Sequence, residues 1–233
     1  MAEPPNDGSR DRGIEPAGPD PVVGEARWHM AGAVLAAMVL TFLLPSDLRL
    51  GPRWLLPILE GALLVALIVG DPGRISKRSS VLRGFSIALV TVLIAQSLWS
   101  TARLIDELIV GGPRTHEPGP LLAAAAIVWV SNNIAFALLY WELDSGGAAE
   151  RAHGLREHPD LAFPQQLNPA VAPANWRPRF IDYLYLGFTN ATAFSPTDAM
   201  PLAPWAKIAM TVQAAVSLAV LGLVVARAAN ILT

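Results

Sequence analysis

The stretch "RFIDYLYLGFTNATAFSPTDAMPLAPWAK" occupies residues 179–207, between two apolar parts of the chain. Its first part, from Phe180 to Asn190, predicts a short amphipathic helix. About 11 helical residues span only about 16 Å, half of the roughly 30 Å that a bilayer core requires. Thr189, Asn190, Thr192, Phe194, Ser195 and Thr197 follow as a polar, hydroxyl-rich run. Pro196 lies inside that run and breaks any helix. Asp198 closes the run, and a long helix is expected to start near Pro204. Irregular backbone at membrane depth survives only when it is buried in protein or lines water. The order of half-helix, polar turn, carboxylate and long helix therefore predicts a re-entrant, pore-like loop before the last span.

The rest of the chain supplies the bundle such a loop would need. Of its 233 residues, 53% are hydrophobic and 15% are charged. That charge is well below the roughly one quarter of a soluble domain, which places the chain in the membrane class. Spans are expected at 28–44, 55–70, 81–109, 121–143 and 205–232. With the half-helix, this makes an all-α integral membrane protein of about five crossings. Trp28, Trp54, Trp141 and Trp205 fall at span ends, where interfacial aromatics sit. Four regions result: a Pro/Gly-rich tail at 1–25, expected to be disordered, a four-helix region at 26–143, a polar connecting loop at 144–179, and the pore-like unit at 180–233. Within the connection, "SGGAAERAHGLREHPD" reads as a solvated loop. The tail lacks the short apolar core of a signal peptide.

Lys and Arg are unevenly distributed among the connections. The tail and the second and fourth connections together carry eleven, against four in the first and third. By the positive-inside tendency the N-terminus is cytoplasmic, together with residues 71–83 and 144–179. The 180–199 segment then either enters from the cytoplasm or crosses completely, unless the charge reading fails.

The order "FTNATAFSPTD" followed by a helix resembles the pore module of potassium-type channels, with a short helix, a Thr-rich filter ending in Asp, and an inner helix. The resemblance implies a homo-oligomer, a tetramer if channel-like, passing monovalent cations. This chain has no glycine between Phe194 and Asp198. A carbonyl-lined filter needs such flexible residues, so weak discrimination between potassium and sodium is expected. Over most of its length, through "LLYWELD", "DLAFPQQ", "FIDYLYLGFTNATAFSPTD" and "VVARAANIL", the chain resembles a family of bacterial multi-pass inner-membrane proteins of unknown function. That family implies an inner-membrane location and no catalytic residues.

Polar residues inside the apolar runs are the remaining candidates: Glu60, Gln96, Asn132, Asn133 and Gln213. Interhelical hydrogen bonding is the plain reading of the amides, and lining a permeation path the functional one. Glu60, one turn after Pro57, is either interfacial or an internal ion or proton ligand. The chain has no cysteine, and the four histidines lack metal-ligand spacing. No phosphate-binding glycine loop or catalytic triad is present, and net charge −2 gives no nucleic-acid surface. Neither a cofactor nor a metal is expected, and the protein is not read as an enzyme. Asn190-Ala191-Thr192 fits a glycosylation pattern, but in a membrane-embedded stretch it reads as incidental. The sequence thus leaves three functional readings: a pore-loop channel, a transporter of small ions or solutes, and a non-conducting structural membrane protein.

Overall fold

A computed structural model describes residues 24–154, 156, 158–168, 170–173, 176–192 and 198–232. About 75% of it is helix. The helices are α1 (Trp28–Leu43), α2 (Leu55–Gly70), α3 (Ser80–Val110), α4 (Pro118–Leu143), α5 (Ala148–His153), α6 (Pro164–Leu167), α7 (Phe180–Thr192) and α8 (Pro204–Leu232). Three are long and apolar enough to cross a membrane: α3, α4 and α8. Helices α1 and α2 are apolar but have 16 residues each, about 24 Å.

Local chemistry sets the helix ends. Ser79 caps α3 by accepting from the Leu82 N–H. Pro118 opens α4 at a position where its missing N–H costs nothing. Gly111 ends α3 with φ +89°, a conformation that favours glycine. Outward-facing Leu35, Val39, Ile58, Val65, Val69, Ile208, Leu218 and Val225 form an exposed apolar belt. Such a surface is a liability in water and is what a bundle shows to lipid.

The bundle has two distinct ends. At one, which we term the basic end, strand β1 (Glu25–Ala26) pairs antiparallel with β2 (Arg74–Ile75). Strand β3 (Leu161–Ala162) pairs with β4 (Met200–Pro201). Arg27 meets Asp71 there at 3.2 Å, and Arg78 meets Glu150 at 3.0 Å. The tail and the second and fourth connections therefore share one end, as the charge count groups them. The described part of the tail, Gly24 and Glu25, is built into the fold; residues 1–23 lie outside the described residues.

The expected solvated loop at 145–160 is corrected by the structure: Ser145, Ala148 and Ala152 are buried. Asp144 is fully buried, and Leu161, Ala162 and Phe163 are at most 5% exposed. With α5, α6 and β3 the connection is a folded cap over the basic end. The reason is visible in its composition: Phe163 packs on Tyr183 of α7, Leu161 and Ala162 pair with β4, and Asp144 satisfies the local backbone.

At the opposite, far end, Leu44, Leu48, Leu104, Leu108, Leu121, Val220 and Val224 form a second core cluster. Arg114 donates to both carboxylate oxygens of Asp47 and to Glu107. The Arg114 guanidinium beside Asp47 holds that carboxyl below its ordinary range. A carboxyl whose pKa is lower folded than unfolded stabilises fully above the ordinary carboxylate range and loses that contribution as pH falls through its folded value. Acidification from about pH 6 to below about pH 4 should therefore cost wild type more melting temperature than Arg114→Ala. An equal acid response in the two proteins would remove this pair from the account of acid lability.

Candidate functional site

The site is built around α7, which is held at both ends. At its base, the Phe180 N–H donates to Glu25 Oε1 at 2.5 Å, and Tyr183 Oη donates to Asp144 Oδ2 at 2.5 Å. Asp144 Oδ1 accepts the N–H groups of Asp160 and Leu161 at 3.0 and 3.1 Å. The Arg151 guanidinium lies 5.0 Å from the Tyr183 ring and donates to the carbonyls of Trp141 and Asp144 at 2.7 Å each. From there α7 runs antiparallel to α4. A Cβ on Gly187 would lie 3.3 Å from the Asn133 carbonyl and 3.6 Å from Ala137 Cβ, so glycine permits this close packing. The Phe188 and Trp129 rings meet edge to face at 5.7 Å.

Near its C-terminal end α7 is tied to α4 and α8. Asn190 Nδ2 donates to Gln213 Oε1 at 2.8 Å and to the Met210 carbonyl at 2.9 Å. Gln213 Nε2 donates to the Gly187 carbonyl at 3.0 Å, and Tyr140 Oη donates to Gln213 Oε1 at 2.7 Å. All three side chains are buried. Asn190 and Gln213 are thus brought together in one saturated node. Thr189 and Thr192 lie on the helix, with hydroxyls donating to the carbonyls of Tyr185 and Phe188. Phe194, Ser195 and Thr197 lie outside the described residues. Asp198 is exposed. Directly after it the chain pairs with β3, and the N–H groups of Leu202 and Ala203 donate to the Asp160 carbonyl. The base of α7 and the approach to α8 are therefore tied to the same end of the bundle.

A second group of polar atoms behaves oppositely. Glu60 is 0% exposed, and neither of its carboxyl oxygens has a hydrogen-bond partner. Both side-chain polar atoms of Asn132 lack a partner as well, as do Gln96 Nε2, Ser97 Oγ, Thr101 Oγ1 and Ser217 Oγ. Gln96 Oε1 accepts the Leu50 N–H at 2.9 Å, from the turn that joins α1 to α2. A small cavity of about 10 Å³, close to the space of one water, is lined by Thr41, Gln96, Ser97, Ser100 and Ser131. Asn133 Nδ2 bonds within its own helix to Trp129, and its Oδ1 is unpartnered. Buried polar groups are ordinarily satisfied, so these orphan atoms, which fall on α2, α3, α4 and α8 and are grouped below as the orphan seam, are unusual among the described residues. Among the described residues no three His, Asp or Glu side chains gather to hold a metal ion.

Sequence reasoning missed Tyr140, Asp144, Tyr183, Ser97, Thr101 and Ser217. A signal existed for Asp144, an acid placed directly after the apolar run of α4. Single hydroxyls in a long apolar helix carry no such signal. Comparison with protein-family profiles, curated proteins and solved structures gives no match.

Proposed function

We propose that the chain is a bacterial inner-membrane protein of five crossings, α1 to α4 and α8, and that the 180–203 segment is a re-entrant loop forming part of a path for small monovalent cations. One observation carries this reading: both ends of that segment are tied to the basic end, while Asn190 is anchored inside the bundle by Gln213. A half-helix of 13 residues, about 20 Å, reaches partway across a membrane. One such loop per chain cannot enclose a filter, so a channel needs several copies around an axis, in keeping with the resemblance to potassium-type pore modules. The orphan polar seam favours a second reading, transport through a single protomer, because it lies within one bundle.

The topology test uses the absence of native cysteine. Single cysteines at Lys77, His158 and Asp198 should resist an impermeant thiol reagent in intact cells, while one at Pro52 should react. A label on Asp198→Cys matching that on Pro52→Cys would mean that 180–198 crosses completely, and the re-entrant reading would fall.

Conduction is tested by flux in liposomes. Asp198→Asn keeps shape and removes one unit charge per chain. Cation flux should fall, most at low salt, where screening is weakest. Melting should change little, since an exposed carboxylate contributes little to folding. Flux equal to wild type at every salt concentration would remove Asp198 from the path.

A further inference from the structure

A cleft of about 290 Å³ opens at the basic end, between the end of α2, the start of α3 and the cap. It belongs neither to the α7 node nor to the orphan seam. We propose that it binds the phosphate of an anionic phospholipid. The proposal rests on the bundle lying in a membrane and not on conduction.

The charges in its wall differ in availability. Arg27 and Asp71 are buried against each other, with side chains 6% and 10% exposed. Asp71 also accepts the N–H groups of Ser76 and Lys77, so its charge is saturated. Glu142 accepts from Ser86 Oγ at 2.6 Å and lies 3.7 Å from Arg83. Arg83 also donates to the Gly146 carbonyl. These groups form a closed wall.

Lys77 and Arg78 at the mouth are different. Among the described residues Lys77 has no carboxylate partner; its ammonium donates to the Gly70 carbonyl at 3.4 Å. Arg78 pairs with Glu150, but those side chains are 54% and 30% exposed. An exposed pair of this kind is weak, so a phosphate can take the guanidinium in bidentate fashion. The start of α3 adds a third element. Ser79 takes the Leu82 and Arg83 N–H groups, which leaves those of Ser80 and Val81 at the positive end of a 31-residue helix beside the exposed Ser80 side chain. Two exposed cations and a helix start facing one cleft suit a phosphodiester.

The surroundings choose the source of that phosphate. Leu67, Leu82, Ile75 and Trp141 line the inner wall, where glycerol and upper acyl carbons would lie. Val69 and Val81, beside the opening, are 75% and 62% exposed, so the apolar belt reaches the level of the cleft. Basic pockets between membrane helices on the cytoplasmic side recognise anionic head groups by this combination.

The test uses the purified full-length protein in detergent. Melting is followed while phosphatidylglycerol, phosphatidylcholine or inorganic phosphate is titrated. Phosphatidylglycerol should stabilise wild type, and the other two should not. In the double variant Lys77→Gln/Arg78→Gln the apparent affinity for phosphatidylglycerol should fall about tenfold or more. Both side chains are exposed, so this variant folds. Arg156→Gln/Arg179→Gln removes two exposed cations of the same end outside the cleft and should change affinity less than about threefold. Equal stabilisation by inorganic phosphate would assign the cleft to a soluble anion and overturn the proposal. So would equal stabilisation by phosphatidylcholine, an equal loss in the two double variants, or no stabilisation by any of the three.

Discussion

Replacing Asp144 with alanine should destabilise the protein by about 3–5 kcal/mol, the cost of breaking a buried, fully hydrogen-bonded charge site. The carboxylate is the junction of three elements. It closes the end of α4, holds the backbone at Asp160 and Leu161, and receives the Tyr183 hydroxyl from α7. Removing it strands two backbone donors and a phenol at a buried site, and each stranded group costs about 1–3 kcal/mol. Asp144→Asn retains one acceptor oxygen for the backbone pair and should lose less. Tyr183→Phe deletes one donor and one bond together and should be the mildest of the three. The order is measured by thermal melting in one detergent. If Tyr183→Phe melts below Asp144→Ala, the phenol and not the carboxylate organises the base of α7.

Glu60→Leu should do the reverse: raise stability while abolishing the proposed cation flux. Glu60 is fully buried on α2 with no hydrogen bond to either oxygen. A carboxylate at such a depth costs about 2.5–3.5 kcal/mol on insertion scales. Leucine is close in volume and needs no partner, so melting should rise by several degrees, on the order of 2 kcal/mol. The cost is tolerable to the wild-type protein if the carboxylate serves a cation or proton during transport, in keeping with the usual trade of stability against activity. Liposome flux should fall to background in Glu60→Leu and stay depressed in Glu60→Gln, which keeps shape but loses charge. A variant that is more stable and still fully active would show Glu60 to be dispensable to the path.

The helices were legible because their signal is long. Apolar runs bounded by Pro45, Gly111 and Pro118 announce both their existence and their ends. The short amphipathic helix was legible too: "FIDYLYLGFTN" predicts a helix over 180–190, and α7 spans Phe180–Thr192. The grouping of connections by charge agreed with the pairing of β1 with β2 and the contact of Arg78 with Glu150. The cap at 144–179 was not legible. Its order comes from Asp144 reaching Asp160 and Leu161, and from Phe163 packing on Tyr183. None of these contacts has a period that a sequence window detects. The division of the intramembrane amides was equally hidden. Asn190 donates to Gln213, and Gln213 to the Gly187 carbonyl, while Asn132 has no partner among the described residues; only the rotation of each helix decides which occurs.

Glu25 gives the fold a temporal order. Its carboxylate joins Trp141 Nε1 at 2.7 Å and the Phe180 N–H, the latter 155 residues further along the chain. A ribosome delivers these partners in sequence: β2 first, then the end of α4, and the base of α7 last. Helix α1 therefore waits, only partly secured, until the chain has been made as far as Phe180. The entropic cost of that distant closure grows slowly with length, but its timing cannot be advanced. The strand before α1 thus acts as a clasp that shuts late, and it joins the beginning of the bundle to the segment on which the proposed path depends.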